Sequence, residues 1–251
     1  MIKVGCCGFP VKRDSYYQNF RVVEVQQTFY QLPQIATGRR WKEEAPRDFE
    51  FTMKAWQLIT HEPSSPTYRR LRTVIPEEKK KDYGFFKGTE EVDEAWLRTA
   101  EFGRVLDVKK IVFQSPASFY PLNDHIKNLR QFFKRIRRQS FTFIWEPRGK
   151  WERKEVERLC KELNIVPCLD PFDGPPIRAS LFYGRLHGKT GYRYHYSEED
   201  LIELQGKVRP YPESYLMFNN LSMYEDAHRL KKLLEEESLT IKLRIPIASI
   251  H

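Results

Sequence analysis

The sequence predicts a single-domain (β/α)₈ TIM barrel over residues 1–251, and three observations carry that prediction. Eight short apolar runs alternate with segments able to form helices, which indicates a mostly parallel sheet of the size that closes on itself. The length of 251 residues suits one barrel. Most of the runs end in a polar or charged residue, and polarity that recurs at the same end of successive buried strands converges on one place.

Strand one is read at 2–7, followed by a break at Gly8-Phe9-Pro10, and strand two at 21–26, from which Thr28-Phe29-Tyr30 lead out to Pro33. A short helix or loop over 34–44 leads to strand three at 49–54. Val92, Trp96, Ala100 and Leu106 recur at helical spacing and predict a helix over 90–106 before strand four at 110–114. Ile126, Leu129, Phe132, Phe133 and Ile136 share one face of a helix over 122–138, ahead of strand five at 141–146. A helix over 152–163 precedes strand six at 165–170, which Pro171-Phe172 breaks, and strand seven follows at 180–187. Ser197 reads as the N-cap of another helix, with Asp200 three residues on. Strand eight at 214–219 and a helix over 224–236 complete the series. Along strands two and five, Val23 and Val25 alternate with Glu24 and Gln26, and Phe143 and Trp145 with Ile144, Glu146 and Arg148. One set can therefore face inward or up while the other packs on helices.

Segment 55–89 is too long for an ordinary barrel loop and holds Pro63, Pro66, Pro76, the run Lys79-Lys80-Lys81 and Phe85-Phe86. Starting at the C-terminal end of strand three, it is expected either to overhang the mouth as a lid or to be a solvated insertion with a short helix. Charged residues make up 31% of the chain, and no apolar stretch is long enough to span a bilayer. The first residues lack the regions of a signal peptide, so a cytoplasmic protein with no membrane partner is expected. Cys6, Cys7, Cys160 and Cys168 lack metal or disulfide spacing and read as buried thiols. A net charge of +9 favours anionic partners, although surface ion-pair networks would also explain the charge density.

In a barrel the reacting groups stand at the C-terminal ends of the strands. Those ends carry Glu24 and Gln26, Lys54, Gln114, Glu146 and Arg148, Asp170, Arg185 and His187, and Asn219 with Asn220. Glu24, Glu146, Asp170 and His187 are the candidate catalytic groups. Lys54, Arg148, Arg185, Gln26, Gln114, Asn219, Asn220, Tyr30 and His61 are the candidate substrate-binding groups. Three acids in one mouth repel one another unless Lys54, Arg148 and Arg185 neutralise them. The outcome is either a structural ion network or a group with a displaced pKa fit for proton transfer. Pro147 lacks a backbone donor, which places Glu146-Pro147-Arg148 at a strand end, and Gly188 permits a tight turn after His187. Tyr30, Trp56, Trp151, Tyr192, Tyr194 and Tyr196 suit base stacking or the packed roof of a barrel. Arg69-Arg70-Leu71-Arg72 and Lys134-Arg135-Ile136-Arg137-Arg138 read as solvated helix faces. Walker, dinucleotide, HExxH and GxSxG signatures are absent.

The ordered series Val23-Glu24-Val25-Gln26-Gln27-Thr28-Phe29-Tyr30, Met53-Lys54-Ala55 with Thr60-His61, Phe113-Gln114-Ser115-Pro116, Glu146-Pro147-Arg148 with Trp151, Asp170, Arg185-Leu186-His187-Gly188 and Phe218-Asn219-Asn220 resembles the YecE-like domain-of-unknown-function family of bacteria and archaea. The resemblance spans nearly the whole chain and implies a TIM barrel with a pocket lined by these residues, without a reaction. Gly5-Cys6-Cys7-Gly8-Phe9 departs from the family's usual Gly-Thr-Ser-Gly-Trp opening, and Gln26 stands where Asn is common.

Three functions compete. The first is an enzyme using acid–base chemistry of hydrolase or lyase type on an anionic, phosphate-bearing small molecule or nucleotide, with no cofactor. The second is a divalent-metal hydrolase or nuclease with Glu24, Glu146, Asp170 and His187 as ligands, against which the three cationic side chains of the mouth argue. The third is a nucleic-acid-binding protein without catalysis.

Overall fold

The computed structural model describes residues 1–174 and 179–244, with side chains through residue 237. Eight parallel strands, β1 (Ile2–Cys7), β2 (Val22–Val25), β3 (Glu50–Lys54), β4 (Lys110–Ser115), β5 (Thr142–Pro147), β6 (Val166–Leu169), β7 (Leu181–Leu186) and β8 (Glu213–Phe218), pair in sequence order. The barrel closes through β8 against β1, with Val4 opposite Leu216. Gln26, Asp170, His187 and Asn219 each stand one residue past a strand end, so the predicted strand-end polarity gathers at the C-terminal mouth.

Helices α1 (Arg13–Asn19), α2 (Gln27–Tyr30), α3 (Ile35–Glu44), α4 (Gln57–Thr60), α5 (Glu90–Val105), α6 (Asn123–Arg135), α7 (Arg153–Leu163), α8 (Glu198–Val208) and α9 (Met223–Arg244) fill the connections. Three differ from expectation: the one-turn α2 forms where Thr28-Phe29-Tyr30 were read only as leading out of strand two. Helix α1 was not foreseen, since its only buried residues are the adjacent Tyr16 and Tyr17 and no side chain caps its start. Helix α9 runs past the expected 224–236. Among the described residues, no helix separates β6 from β7. The expected cap of α8 is a full capping box: Ser197 Oγ accepts from Asp200 N, and the Asp200 carboxylate accepts from Ser197 N. No helix among the described residues is long and apolar enough to cross a membrane.

Period-two alternation divides the buried residues into two layers. Val23, Val25, Phe51, Met53, Ile111, Phe113, Phe143 and Trp145 face outward and join the main core with Trp96, Phe132, Leu159 and Leu204. Cys7, Val22, Val112, Ile144, Cys168, Tyr183, Tyr215 and Met217 form a separate cluster inside the barrel. Two residues along from this inner set lie Glu24, Gln114, Glu146 and Arg185 toward the mouth, and Lys110 and Glu213 toward the opposite end. The alternation alone thus stacks an apolar belt between two polar layers. The four cysteines are buried and unbridged, and burial pushes the Cys6 and Cys160 thiols up to about 12.

The 55–89 segment is anchored at both ends. It leaves β3 through the buried α4 and returns at Gly84, Phe85 and Phe86, whose amides donate to the carbonyls of Leu58, Thr60 and Ile59. Phe86 is fully buried against Phe113, Phe119, Phe132 and Phe133. Phe85 and Phe86 hold left-handed backbone angles of 50° and 54°, a strain of order 1 kcal/mol each that the three hydrogen bonds and ring packing sustain. Between these anchors lie 3-10 turns at Pro66–Arg70 and Glu77–Asp82.

Candidate active site

Arg185 forms the centre of the mouth's floor and is 2% exposed. Its Nε lies 3.2 Å from Glu24 Oε1 and its Nη1 2.5 Å from Glu146 Oε2. Nη1 also donates to Gln114 Oε1 at 3.0 Å, and Nη2 to Gln26 Oε1 at 3.4 Å. Glu24 is fully buried; its Oε2 accepts from Tyr183 Oη at 2.8 Å and its Oε1 from the Gln26 amide. Burial by itself would lower the Arg185 pKa, but the two carboxylates reverse that and hold it well above its ordinary value. Arg185 and Glu24 therefore form a buried ion pair. Both residues, expected as a substrate-binding and a catalytic group, lie in the buried floor of the mouth with their polar atoms turned on protein neighbours.

Glu146 joins this buried layer to the reachable surface. Its Oε1 lies 3.2 Å from His187 Nε2 and 3.3 Å from Arg148 Nη1. Burial raises its pKa, but Arg185, the His187 hydrogen bond and Arg148 outweigh burial and hold the carboxyl well below the usual range. It is a fixed anion. His187 is partly exposed, and its Nδ1 lies 3.0 Å from Asn219 Nδ2. With that amide nitrogen as donor, Nδ1 accepts and the Nε2–H donates to Glu146. Gly188, at φ 88°, supplies the turn that follows, where a Cβ would meet Gly191 O at 2.3 Å.

Lys54 is the odd member of the mouth. Its Nζ donates to Gln114 Oε1 at 2.9 Å and sits 3.7 Å from the centroid of Phe29, and it forms no ion pair among the described residues. Burial lowers its pKa, Arg185 lowers it further, and Glu146 and Glu24 only partly oppose them, leaving a value of about 7. His61 packs edge-on against Phe29 and accepts or donates at Nδ1 with Thr60 Oγ1 at 2.8 Å. Burial and the Lys54 charge push His61 down to about 3, so it is neutral.

Other expected residues lie elsewhere. Asp170 caps the chain after β6: Oδ1 accepts from Phe172 N at 3.0 Å and Oδ2 from His187 N at 3.5 Å. It positions the His187 backbone and touches none of the other charged side chains of the mouth. Asn220 turns away, donating to Tyr194 O and Asp226 Oδ2 at 2.7 and 2.6 Å, because neighbouring residues past a strand face opposite sides. Tyr30 stands beside the mouth under Arg70, whose Cζ is 3.6 Å from its ring centroid. Of the other aromatics, Trp56 and Tyr196 are buried roof, Tyr194 bonds Asp200, and Trp151 packs on Trp145. Tyr192, 52% exposed, meets the His187 ring edge-on at 5.8 Å.

Sequence reading overlooked Tyr183 and Thr52, which bond each other at 2.8 Å beneath Glu24; the signal was their period-two phase with Arg185 and Lys54. It also placed Arg69-Arg70-Leu71-Arg72 on a solvated helix face. The three arginines are exposed and, with Leu71, line a cleft of about 860 Å³ together with Gln26, Gln27, Tyr30, Gln31, Leu32, Pro33, Gln34 and Thr37.

The alternative metal set does not assemble. Arg185 separates Glu24 from Glu146, Asp170 is engaged with backbone amides, and among the described residues no group of three or more His, Cys, Asp or Glu can hold a metal ion.

The family model described as "Protein of unknown function DUF72" matches residues 12–247. A solved DUF72 family protein of Thermotoga maritima is 22% identical over 94% of this chain and 99% of its own, with a TM-score of 0.67. One of Enterococcus faecalis is 21% identical over 94% of this chain and 98% of its own, with a TM-score of 0.69. The protein SacUVDE shares the fold at 10% identity and a TM-score of 0.54, over 90% of this chain and 84% of its own. No curated protein matches the sequence.

Proposed function

The chain belongs to the DUF72 family, and we propose that this barrel is an enzyme that moves a proton on an anionic, phosphate-bearing small molecule bound over its C-terminal mouth. One observation carries the reading: Lys54 is buried at the mouth without a carboxylate partner and titrates at about 7. A lysine so placed alternates between cation and base near neutrality, which structural lysines paired with carboxylates do not. An arriving anion restores the missing counter-charge and raises the Lys54 pKa, so binding and protonation are coupled. Arg148, 36% exposed with one contact to Glu146, has donors for the same anion. His187, oriented by Asn219 and Glu146, is the second proton carrier, and its tautomer switches if a substrate replaces Glu146 at Nε2.

The test is a thermal-shift screen of phosphorylated and carboxylated metabolites, followed by calorimetry in two buffers of different ionisation enthalpy. A ligand should bind with net proton uptake at pH 8 in the wild type and with none in Lys54→Met. Binding without proton uptake in the wild type, or uptake that survives Lys54→Met, overturns the assignment of Lys54.

A further inference from the structure

The cleft beside the mouth contains three arginines and no acidic residue in its lining. Arg69, Arg70 and Arg72 form no ion pair among the described residues. Several other surface arginines are paired, as in Arg13 with Glu44, Arg21 with Asp48, Arg130 with Glu162 and Arg135 with Asp93. Three unmatched guanidiniums along one concave wall repel one another, and no carboxylate of the lining compensates them.

The wall that carries them is held in place. Gln31 Oε1 accepts from Arg72 N at 3.0 Å, Thr73 N at 3.3 Å and Thr73 Oγ1 at 3.3 Å. Tyr68 Oη donates to His61 O at 2.7 Å. The arginine segment is thus fastened to α2 on one side and to the chain beside Lys54 on the other. Arg70 stacks its face on Tyr30, which leaves the in-plane N–H donors that fork onto phosphate oxygens. Four glutamines, Gln26, Gln27, Gln31 and Gln34, supply neutral donors and acceptors to the same cleft. Gln26 belongs to both places: it lines the cleft and bonds Arg185 and Glu24 on the mouth's floor. The volume of about 860 Å³ falls within the usual size of ligand sites.

We propose that this cleft is a polyphosphate subsite, receiving the di- or triphosphate end of a small-molecule substrate whose remaining part extends over Gln26 and carries a second anionic group to Lys54, Arg148 and His187. The proposal rests on the mouth being the reacting site, and names the class of molecule that site takes. The ring face of Tyr30 is already covered by Arg70, which favours a phosphate chain over a stacked nucleic-acid strand.

Inorganic tripolyphosphate tests the subsite without the rest of the substrate. Titration calorimetry of the full chain should show wild-type binding that weakens with added salt, and binding that falls about tenfold or more and depends less on salt in Arg70→Ala/Arg72→Ala. Arg148→Ala should bind within about twofold of the wild type, since Arg148 belongs to the mouth. Arg70→Lys/Arg72→Lys should fall between, keeping charge but losing the fork. All three positions are exposed, so melting temperatures should stay level and report an intact fold. No binding by the wild type, or equal binding by the cleft double variant, overturns the subsite. Loss in Arg148→Ala alone places the phosphates at the mouth, overturning the subsite while sustaining the mouth. A wild type that ignores tripolyphosphate yet binds a single strand of about ten nucleotides through Arg70 and Arg72 assigns the cleft to nucleic acid and also overturns it.

Discussion

The two ends of the barrel interior carry polar layers built by the same period-two rule, yet they resolve their charges differently. At the N-terminal end, Glu50 accepts from Lys3 at 2.5 Å and Lys110 at 3.1 Å, and both lysines lie 3.7 Å from Glu213. Tyr215 Oη donates within the same group, 2.8 Å from Glu50 Oε2 and from Glu213 Oε1. Two carboxylates meet two ammonium groups. Burial raises the Glu50 pKa, but the two lysines and Tyr215 outweigh it and leave the carboxyl lowered. At the mouth, Glu24 and Glu146 neutralise Arg185 with one negative charge to spare, while Lys54 and Arg148 add two positive ones. Lys54 gains no carboxylate and answers by losing affinity for its proton. The matched layer lies at the N-terminal end and the unmatched one at the end where barrel sites form.

The largest effect should come from the centre of the upper layer. Arg185→Met strands two buried carboxylates and should cost about 3–5 kcal/mol in denaturant unfolding. Adding Glu24→Gln and Glu146→Gln should recover much of it. At the lower end, Glu50→Gln leaves Glu213 to serve both lysines in a partly solvated setting and should cost about 1–2 kcal/mol. Equal losses at the two ends would erase the contrast between a sealed ion pair and a solvated clasp.

A smaller effect separates the layers by pH. The folded Lys54 value of about 7 lies below its unfolded value of about 10.4, so between them the unfolded chain holds a proton that the native chain lacks. Stability from this group is therefore full above the unfolded value and is lost as pH falls through 7. The gap between wild type and Lys54→Met should change by about 1.4 kcal/mol per pH unit over pH 7–9, the variant gaining as pH falls. For Glu50 the folded value is depressed, so its contribution is present above the unfolded carboxylate value and lost only as pH drops through the folded one. Glu50→Gln should accordingly shift stability by a constant amount across pH 7–9. A flat Lys54→Met difference, or a sloping Glu50→Gln one, would reverse the assignments of the two layers.

Much of this was legible in the sequence because alternation along a strand decides which face a residue takes. Glu24, Glu146 and Arg185 were readable as inward and near one end. Their depth was not, since it depends on how neighbouring strands are staggered. Pairing Gln114 with Glu146 and Arg185 with Met217 buries these side chains, while His187, one residue past β7, stays reachable. Asn219 and Asn220 looked equivalent in sequence, but only the first meets His187. The arginines of 69–72 are solvated as read, but a 3-10 turn followed by an extended segment, which the sequence pattern does not reveal, sets them along a cleft.

Asn219 gives the finest probe of the upper layer. It donates to His187 Nδ1 from a partly exposed position, so Asn219→Ala should cost only about 0.5–1.5 kcal/mol. Its real effect should be on the ring. Without the donor at Nδ1, the Nε2–H tautomer loses the contact that selects it, although Glu146 still accepts from Nε2. Nitrogen-detected NMR of His187 should show a mixed tautomer population in Asn219→Ala and a single one in the wild type. If the wild type is already mixed, the Glu146–His187–Asn219 chain does not fix the proton.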